Sequence, residues 1–265
     1  FRIRQKGGNY IWVLCRGLAG EGPNETFGRM AGSLTDITLR KVFEEQLSFQ
    51  ALHDPLTTLP NRLLFFDRLT QALRRSQRNP EHSFAVLYLD LDRFKFVNDR
   101  LGHVAGGAML TEVADRIEAA CGFIGDGAES ATVARFGGDE FAVLLHDVRD
   151  PKAPTQLAER IIDLIAQPFH IEQSEVFASA SVGIALSDPQ YDSAGDIVRN
   201  ADTAMYHAKA QDKGGYAMFD SDMHALAMAR LQIENDLRRA IGREEFLVYY
   251  QPIIDLATGK IAAVE

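Results

Sequence analysis

The sequence predicts an α/β fold: a central mixed sheet flanked by helices. Three observations carry that expectation. Phe84-Ala85-Val86-Leu87-Tyr88-Leu89-Asp90-Leu91-Asp92 is a nearly unbroken apolar run ending in acids, as expected of a strand buried on both faces at the centre of a sheet. Gly137-Gly138 separates two further strand-like runs, residues 132–136 and 141–145. A Gly-Gly pair in that setting reads as a hairpin, because glycine accepts the positive φ of tight turns. Around these runs apolar residues recur at helical spacing, so strands and helices alternate and form layers. The hairpin makes the sheet mixed rather than purely parallel.

The chain of 265 residues exceeds one typical domain, and its 46% hydrophobic content is enough for a packed core. With 28 basic and 37 acidic residues the formal charge is −9. That balance argues against a nucleic-acid duplex as partner, since such proteins carry a basic face. A nucleotide stays open, because it needs only a local site and cations. Cys15 and Cys121 stand far apart, with no Cys-x-x-Cys or Cys/His cluster. Neither a disulfide framework nor a zinc site is expected, and a reducing, cytoplasmic setting is. No run of 18 apolar residues is present. Phe1 does not look like a natural start, so the sequence reads as a segment of a longer protein whose other parts could anchor it to a membrane.

In chain order, residues 1–35 read as strands: Phe1-Arg2-Ile3-Arg4, then Tyr10-Ile11-Trp12-Val13-Leu14-Cys15 after a turn at Gln5-Lys6-Gly7-Gly8-Asn9, then 28–34 after a loop at Gly20-Glu21-Gly22-Pro23-Asn24. Residues 38–53 read as a helix with Leu39, Val42, Gln46 and Phe49 at a/d spacing. Two heptads with a polar Gln46 in the seam make a weak coiled coil. Asn61 can cap a helix to about residue 78, with Leu63, Phe66, Leu69 and Leu73 on one face. After the Asp90 strand come a short helix, a longer one turning Leu110, Val113 and Ile117 inward, the hairpin, and a helix carrying Leu157, Ile161 and Leu164. A strand through Val176, Ala178, Ala180, Val182 and Ile184 follows. A helix over about 196–211 then buries Ile197, Ala201, Ala204, Met205 and Ala208, and 216–219 is a strand. A helix over about 223–242, a strand-like run Phe246-Leu247-Val248-Tyr249-Tyr250-Gln251-Pro252, a turn at Ala257-Thr258-Gly259-Lys260 and a strand over 261–264 complete the order.

The chemistry-bearing residues gather on two of these elements. A carboxylate at the end of a buried strand is costly unless it is paired or metal-bound. Asp90 and Asp92 share a side at period two. Asp139 and Glu140 stand at the hairpin tip, where two acids without an adjacent base either sit solvated or flank a cation. If the two elements are neighbours, Asp90 and Asp139 can share hard cations. Such oxygen ligands suit magnesium, which also takes ligands from substrate phosphates.

Gly137-Gly138-Asp139-Glu140-Phe141 is letter for letter the signature of the GGDEF family of diguanylate cyclases. Three more segments resemble that family's motifs in order. They are His53-Asp54-Pro55-Leu56-Thr57-Thr58-Leu59-Pro60-Asn61-Arg62; Asp90-Leu91-Asp92-Arg93-Phe94-Lys95-Phe96-Val97-Asn98-Asp99 with Gly102-His103 after it; and Ala201-Asp202 through Tyr206-His207-Ala208-Lys209. The resemblance covers about residues 48 to 220. It implies a nucleotidyl-cyclase-like sheet that condenses two GTP into cyclic di-GMP and releases pyrophosphate. It also implies two Mg2+ or Mn2+ ions per active site and a homodimer, since one site holds one GTP.

By the same resemblance, Asp90 and Asp139 ligate the metals, with the Leu91 carbonyl as an extra ligand. Asp139 or Glu140 assists deprotonation of the nucleophile. Gly137 and Gly138 let backbone approach the nucleotide, and the Phe94-Lys95 turn offers N–H groups to its phosphates. Lys209 and Lys213 neutralise the β- and γ-phosphates, or else form a solvated basic face. Asn98 contacts the guanine edge. His103 lies near the guanine or only holds its loop. Residues 1–37 resemble the C-terminal part of a PAS sensor domain, 38–53 a transmitter helix, 54–220 the GGDEF domain, and 221–265 a linker helix with the opening of an EAL phosphodiesterase domain. Glu265 would be the glutamate of that last family's name motif, and so short a piece is not expected to hydrolyse anything.

Three positions depart from the family pattern. Gly107 stands where an acid normally pairs with guanine, a contact worth about 1.5–3 kcal/mol when charge-assisted. Ala128-Glu129-Ser130-Ala131 replaces the Arg-x-x-Asp motif of product feedback, so inhibition at that site is not expected. Lys213 stands where arginine is usual, keeping the charge but losing the bidentate fork. The sequence therefore predicts a diguanylate cyclase module in a sensor-regulated signalling protein. The alternative, which Gly107 favours, is a catalytically weak GTP-binding module that regulates a downstream EAL phosphodiesterase.

Overall fold

The computed structural model describes residues 1–21, 27–79, 81–122, 131–171, 174–211, 213–243 and 245–265. The chain divides into two compact units, Phe1–Met218 and Phe219–Glu265.

The first unit opens with an antiparallel sheet of β1 (Arg2–Arg4), β2 (Tyr10–Glu21) and β3 (Phe27–Asp36). β2 runs on to Glu21, through the glycine-rich stretch expected to turn; residues 22–24 of that expected turn lie outside the described residues. The next helix, α1 (Thr38–Leu52), is tied to β2 by Trp12 N–H donating to Thr38 Oγ1 at 2.9 Å and by Ile37 N–H donating to the Trp12 carbonyl at 2.8 Å. Its apolar positions Leu39, Val42, Phe43, Leu47 and Phe49 are exposed.

α2 (Arg62–Arg78) starts where the Asn61 side chain accepts from the N–H groups of Leu63 and Leu64. The buried face is Phe65, Leu69 and Leu73. Leu63, expected inward, is 64% exposed, because the helix lies one position round from the sequence estimate. β4 (Ala85–Asp92) is the central strand, and α3 (Phe94–Cys121) follows. α3 is a short and a long helix merged across a kink at Gly102, whose φ of 85° suits glycine. β5 (Ala131–Gly137) and β6 (Glu140–Leu145) form the expected hairpin. α4 (Ala153–Ala166) buries Leu157, Ile161 and Ile165, with Leu164 only partly covered.

A small hairpin of β7 (Phe169–Ile171) and β8 (Ser174–Val176) then precedes β9 (Ser179–Leu186). The single strand expected through 176–184 is therefore split: the ladder stops at Val176, and Phe177 is exposed between the two pieces. α5 (Ala194–Gln211) and β10 (Tyr216–Met218) close the unit. The five-stranded sheet has order β10-β9-β4-β6-β5, and only the β9–β10 pair is parallel.

Period two sorts β4 cleanly. Ala85, Leu87, Leu89 and Leu91 join one core with Met109, Val113 and Ile117 of α3 and Leu157, Ile161 and Ile165 of α4. The alternate residues Tyr88, Asp90 and Asp92 face the other way. Close approach on that side is made possible by Gly183 of β9, where a Cβ would lie 1.9 Å from the Ala201 carbonyl oxygen of α5.

In the second unit, α6 (Ser221–Gly242) begins at Asp220, which accepts from the Asp222 N–H. β11 (Pro252–Ile254) and β12 (Ile261–Val264) form a hairpin turning through Gly259 at φ 65°. The expected strand over 246–252 reduces to its last residue. Leu247, Val248, Tyr249 and Tyr250 are largely exposed and pair with no strand among the described residues, and an apolar run without a ladder partner is not a strand.

Candidate active site

The end of β4 meets the tip of the β5–β6 hairpin. Asp90 is the ladder partner of Glu140, and the Leu91 N–H donates to the Asp139 carbonyl at 3.3 Å. At the tip, Gly137 (φ 143°), which ends β5, and Gly138 (φ 53°) adopt conformations that a side chain would strain. A Cβ on either would meet no atom within 4 Å, so this backbone faces open space.

The acids here carry an electrostatic load. Asp90 is half-buried, and burial raises its pKa above the ordinary carboxylate value; Asp139 and Asp92 push it the same way, while Lys209 opposes. Lys209, in the last turn of α5, places Nζ 2.5 Å from Asp90 Oδ1. Asp202, two turns earlier on α5, is also raised by burial, then by Glu140 and Asp90. Burial raises the Tyr88 phenol too, and it directs a hydrogen bond at Glu140. Asp92 is only 8% exposed and accepts from Ser179 Oγ at 2.7 Å and Ser181 Oγ at 3.0 Å. Asp90 and Asp92 thus share a face but not an environment.

A clamp fixes the hairpin tip from behind. Arg135 donates to the Gly138 carbonyl through Nη2 at 2.8 Å and Nε at 3.2 Å, and its Nη1 pairs with Asp54 Oδ1 at 2.9 Å. Asp54 also accepts from the Thr57 N–H and hydroxyl. Burial works against the Asp54 charge, but these donors hold its pKa below the ordinary value.

The remaining expected site residues are placed as follows. Arg93 takes φ 60° and starts α3, so buried Phe94 and exposed Lys95 occupy a first helical turn, whose N–H groups lack intrahelical partners. Asn98 is half-buried, and its Oδ1 fills the space where a Cβ on Gly106 would sit, 1.9 Å away. His103 is exposed just after the kink. A Cβ on Gly107 would meet the Leu56 side chain in ordinary contact, Cδ1 at 3.6 Å and Cδ2 at 4.0 Å. Lys213 falls just past the end of α5 and does not share a helical face with Lys209. It borders a groove of about 400 Å³ with Asp92, Arg93, Phe96, Phe177 and Ser179. The expected loss of the feedback motif concerns residues 128–131, of which 128–130 lie outside the described residues.

Sequence reasoning did not single out Asp202 or the Asp54–Arg135 clamp. Asp202 precedes Lys209 by seven residues, two helical turns, so its place on the same face was available from spacing. Asp54 and Arg135 are far apart in sequence, and nothing local pairs them.

The fold and site define a mixed α/β domain with acids converging from a central strand and a glycine hairpin. The chain belongs to the GGDEF family: the family model described as "Diguanylate cyclase, GGDEF domain" matches residues 51–214. It is 46% identical over 215 residues to the bifunctional diguanylate cyclase/cyclic di-GMP phosphodiesterase MucR of Pseudomonas aeruginosa, covering 81% of this chain and 30% of that protein. It is 36% identical over 236 residues to the cyclic di-GMP phosphodiesterase PdeR of Escherichia coli, covering 89% and 34%. The chain thus spans about a third of the length of these curated relatives. Among solved structures, the GGDEF domain of TpbB (YfiN) from Pseudomonas aeruginosa superposes with a TM-score of 0.61 at 40% identity, over 66% of this chain and 99% of that one. The coiled coil and GGDEF domain of DgcB from Caulobacter crescentus, in complex with c-di-GMP, gives 0.60 at 26% identity, over 68% and 91%.

Proposed function

We propose that this chain condenses two molecules of GTP into cyclic di-GMP. The observation that carries the reading is the convergence of Asp90 with Asp139 and Glu140 at the glycine hairpin, opposite Lys209. In each half-reaction a 3'-oxygen forms a bond to the α-phosphorus of the other nucleotide. The bond from that phosphorus to the pyrophosphate oxygen breaks, and the hydroxyl proton leaves. Two such steps close the ring and release two pyrophosphates.

The donor set suits Mg2+ or Mn2+. Asp90 is a half-buried carboxylate disfavoured by its acidic neighbours and neutralised here by an ammonium, which is a cation-seeking arrangement of hard oxygens. Among the described residues no group of three or more metal-ligating side chains is preassembled, so phosphate and water ligands would complete the shell. Asp90, Asp139 and the Leu91 carbonyl would hold two ions, which would polarise the phosphoryl oxygens and lower the pKa of the 3'-hydroxyl. Either Asp139 or Glu140 would take the hydroxyl proton. Backbone N–H groups at Phe94 and Lys95 would receive the phosphates, with Lys209 and Lys213 supplying positive charge. Asn98, with His103 nearby, would orient the guanine.

The domain plan we propose is a PAS C-terminal part over 1–37, a transmitter helix over 38–53, the GGDEF domain over 54–220, and a linker with the start of an EAL domain over 221–265. The phosphodiesterase activity in the names of two relatives, MucR and PdeR, supports the last assignment. No helix among the described residues is long and apolar enough to cross a membrane. The exposed apolar positions of α1 support a homodimer that brings two sites together.

A second reading, a weakly catalytic GTP-binding regulator, is favoured by Gly107 alone, which offers no group to the base. Incubation with GTP and magnesium and identification of the product by mass spectrometry separate the two. Cyclic di-GMP from the natural chain, abolished in Asp139→Asn with the melting temperature kept, supports the cyclase. Bound but unconverted GTP supports the regulator, and full activity in Asp139→Asn contradicts the metal assignment.

A further inference from the structure

Asp92 is the acid of β4 that the proposed reaction leaves without a task. It is buried, and so is Ser181, which has no exposed surface at all. One carboxylate oxygen accepts from Ser179 Oγ at 2.7 Å and the other from Ser181 Oγ at 3.0 Å. Both serines belong to β9, where Ser179 is the ladder partner of Asp92 and Ser181 that of Asp90. An ionised carboxylate out of water must have its lone pairs engaged, and these two hydroxyls engage them. Asp92 is therefore committed to β9, whereas Asp90 is turned to the ammonium of Lys209.

Ser179 has a second neighbour. Gly214, in a left-handed conformation at φ 83°, comes so close that a Cβ on it would lie 3.2 Å from Ser179 Cβ. Ser179 lines the groove that Asp92, Arg93, Phe96, Phe177 and Lys213 complete, with Gly214 beside it. On one wall it holds Asp92, directly before the αL residue Arg93 that launches α3. On the other it lies close to Gly214, the residue after Lys213.

We propose that Asp92 and Ser179 form a positioning pair that fixes the spacing between the Arg93–Lys95 turn and the Lys213 loop, and so determines how the phosphate end of the nucleotide is gripped. This rests on the reading of the chain as a GTP-using cyclase. The pair does not touch the reacting atoms. It would act through the N–H groups of the turn, proposed above to receive the phosphates, and through the ammonium of Lys213, proposed for the β- and γ-phosphates, rather than through the base.

Ser179→Ala is the decisive variant, because it removes one partly exposed hydroxyl and leaves the buried Asp92–Ser181 bond in place. Calorimetric titration of the whole chain with GTP, and separately with GMP, in the presence of magnesium gives the readout. The expected result is that Ser179→Ala weakens GTP about fivefold or more, a loss on the scale of one hydrogen bond, and leaves GMP unchanged. KM for GTP should rise by the same factor, with kcat changed less. Asp92→Asn, which keeps one acceptor oxygen, should fall between the two. An equal loss for GTP and GMP, or no change for either, overturns the pair. If the natural chain binds neither nucleotide, the cyclase reading fails first and the pair falls with it.

Discussion

At the scale of single residues, the site is a set of carboxylates separated by what each one faces. Asp90 faces Lys209, Asp92 faces two serine hydroxyls, Glu140 faces Tyr88, and Asp54 faces Arg135. The sequence already marked Asp90, Asp139 and Glu140, because acids ending a buried apolar run or standing on a glycine turn are costly without a purpose. The partners were less legible: Ser179 and Arg135 are ordinary letters until the sheet register brings them across. Gly107 is the position at which the sequence predicts a lost contact to the base. A Cβ there would make only ordinary contact with Leu56, so Gly107→Asp should fold, and replacing a helical glycine should if anything add about 0.5 kcal/mol. The substitution should tighten GTP and raise the preference for GTP over ATP by about tenfold, the scale of one charge-assisted contact. Paired titrations with the two nucleotides check this. An unchanged preference would mean that another residue reads the base.

At the scale of elements, the hairpin is only as well aimed as the clamp behind it. Asp54 sits in the loop between α1 and α2, and Arg135 joins that loop to the Gly138 carbonyl. Both side chains of the pair are at most 15% exposed, so Arg135→Ala leaves a largely buried acid unpaired, at a cost on the order of 3 kcal/mol. Activity should fall further than the melting temperature alone explains, since the tip loses its aim as well as its anchor. Equal activity per folded molecule would argue against that coupling. At the far end of β6, His146 reports on packing. Burial lowers its pKa from 6.5; Asp147 opposes, while Arg75 and Arg68 lower it further, and Thr132 Oγ1 lies 3.3 Å from its Nε2. A depressed histidine contributes stability that is full above pH 6.5 and is lost as pH falls through the folded value. Denaturant midpoints at pH 7 and pH 5.5 should therefore differ, and by less in His146→Gln. The elements themselves were legible where periodicity was strong, as in β4, the hairpin and α5. They were misjudged where a run could pair only if a neighbour existed, as over 246–251, and where a short local hairpin interrupted an apparently continuous strand at Phe177.

At the scale of the whole molecule, the proposed reaction joins two GTP while one site would hold one, so turnover would need two chains face to face. α1 leaves Leu39, Val42, Phe43, Leu47 and Phe49 exposed, which is a surface suited to a second copy, but it spans only two heptads and carries Gln46. Association should therefore be weak. The measurement that tests the account most directly is the rate of cyclic di-GMP formation per mole of chain across a wide range of protein concentration, with GTP and magnesium saturating and the oligomeric state followed in parallel. The account predicts specific activity that rises with concentration and follows the dimer fraction. A flat plot from a demonstrated monomer, or a dimer that binds GTP and forms no cyclic di-GMP, would contradict it.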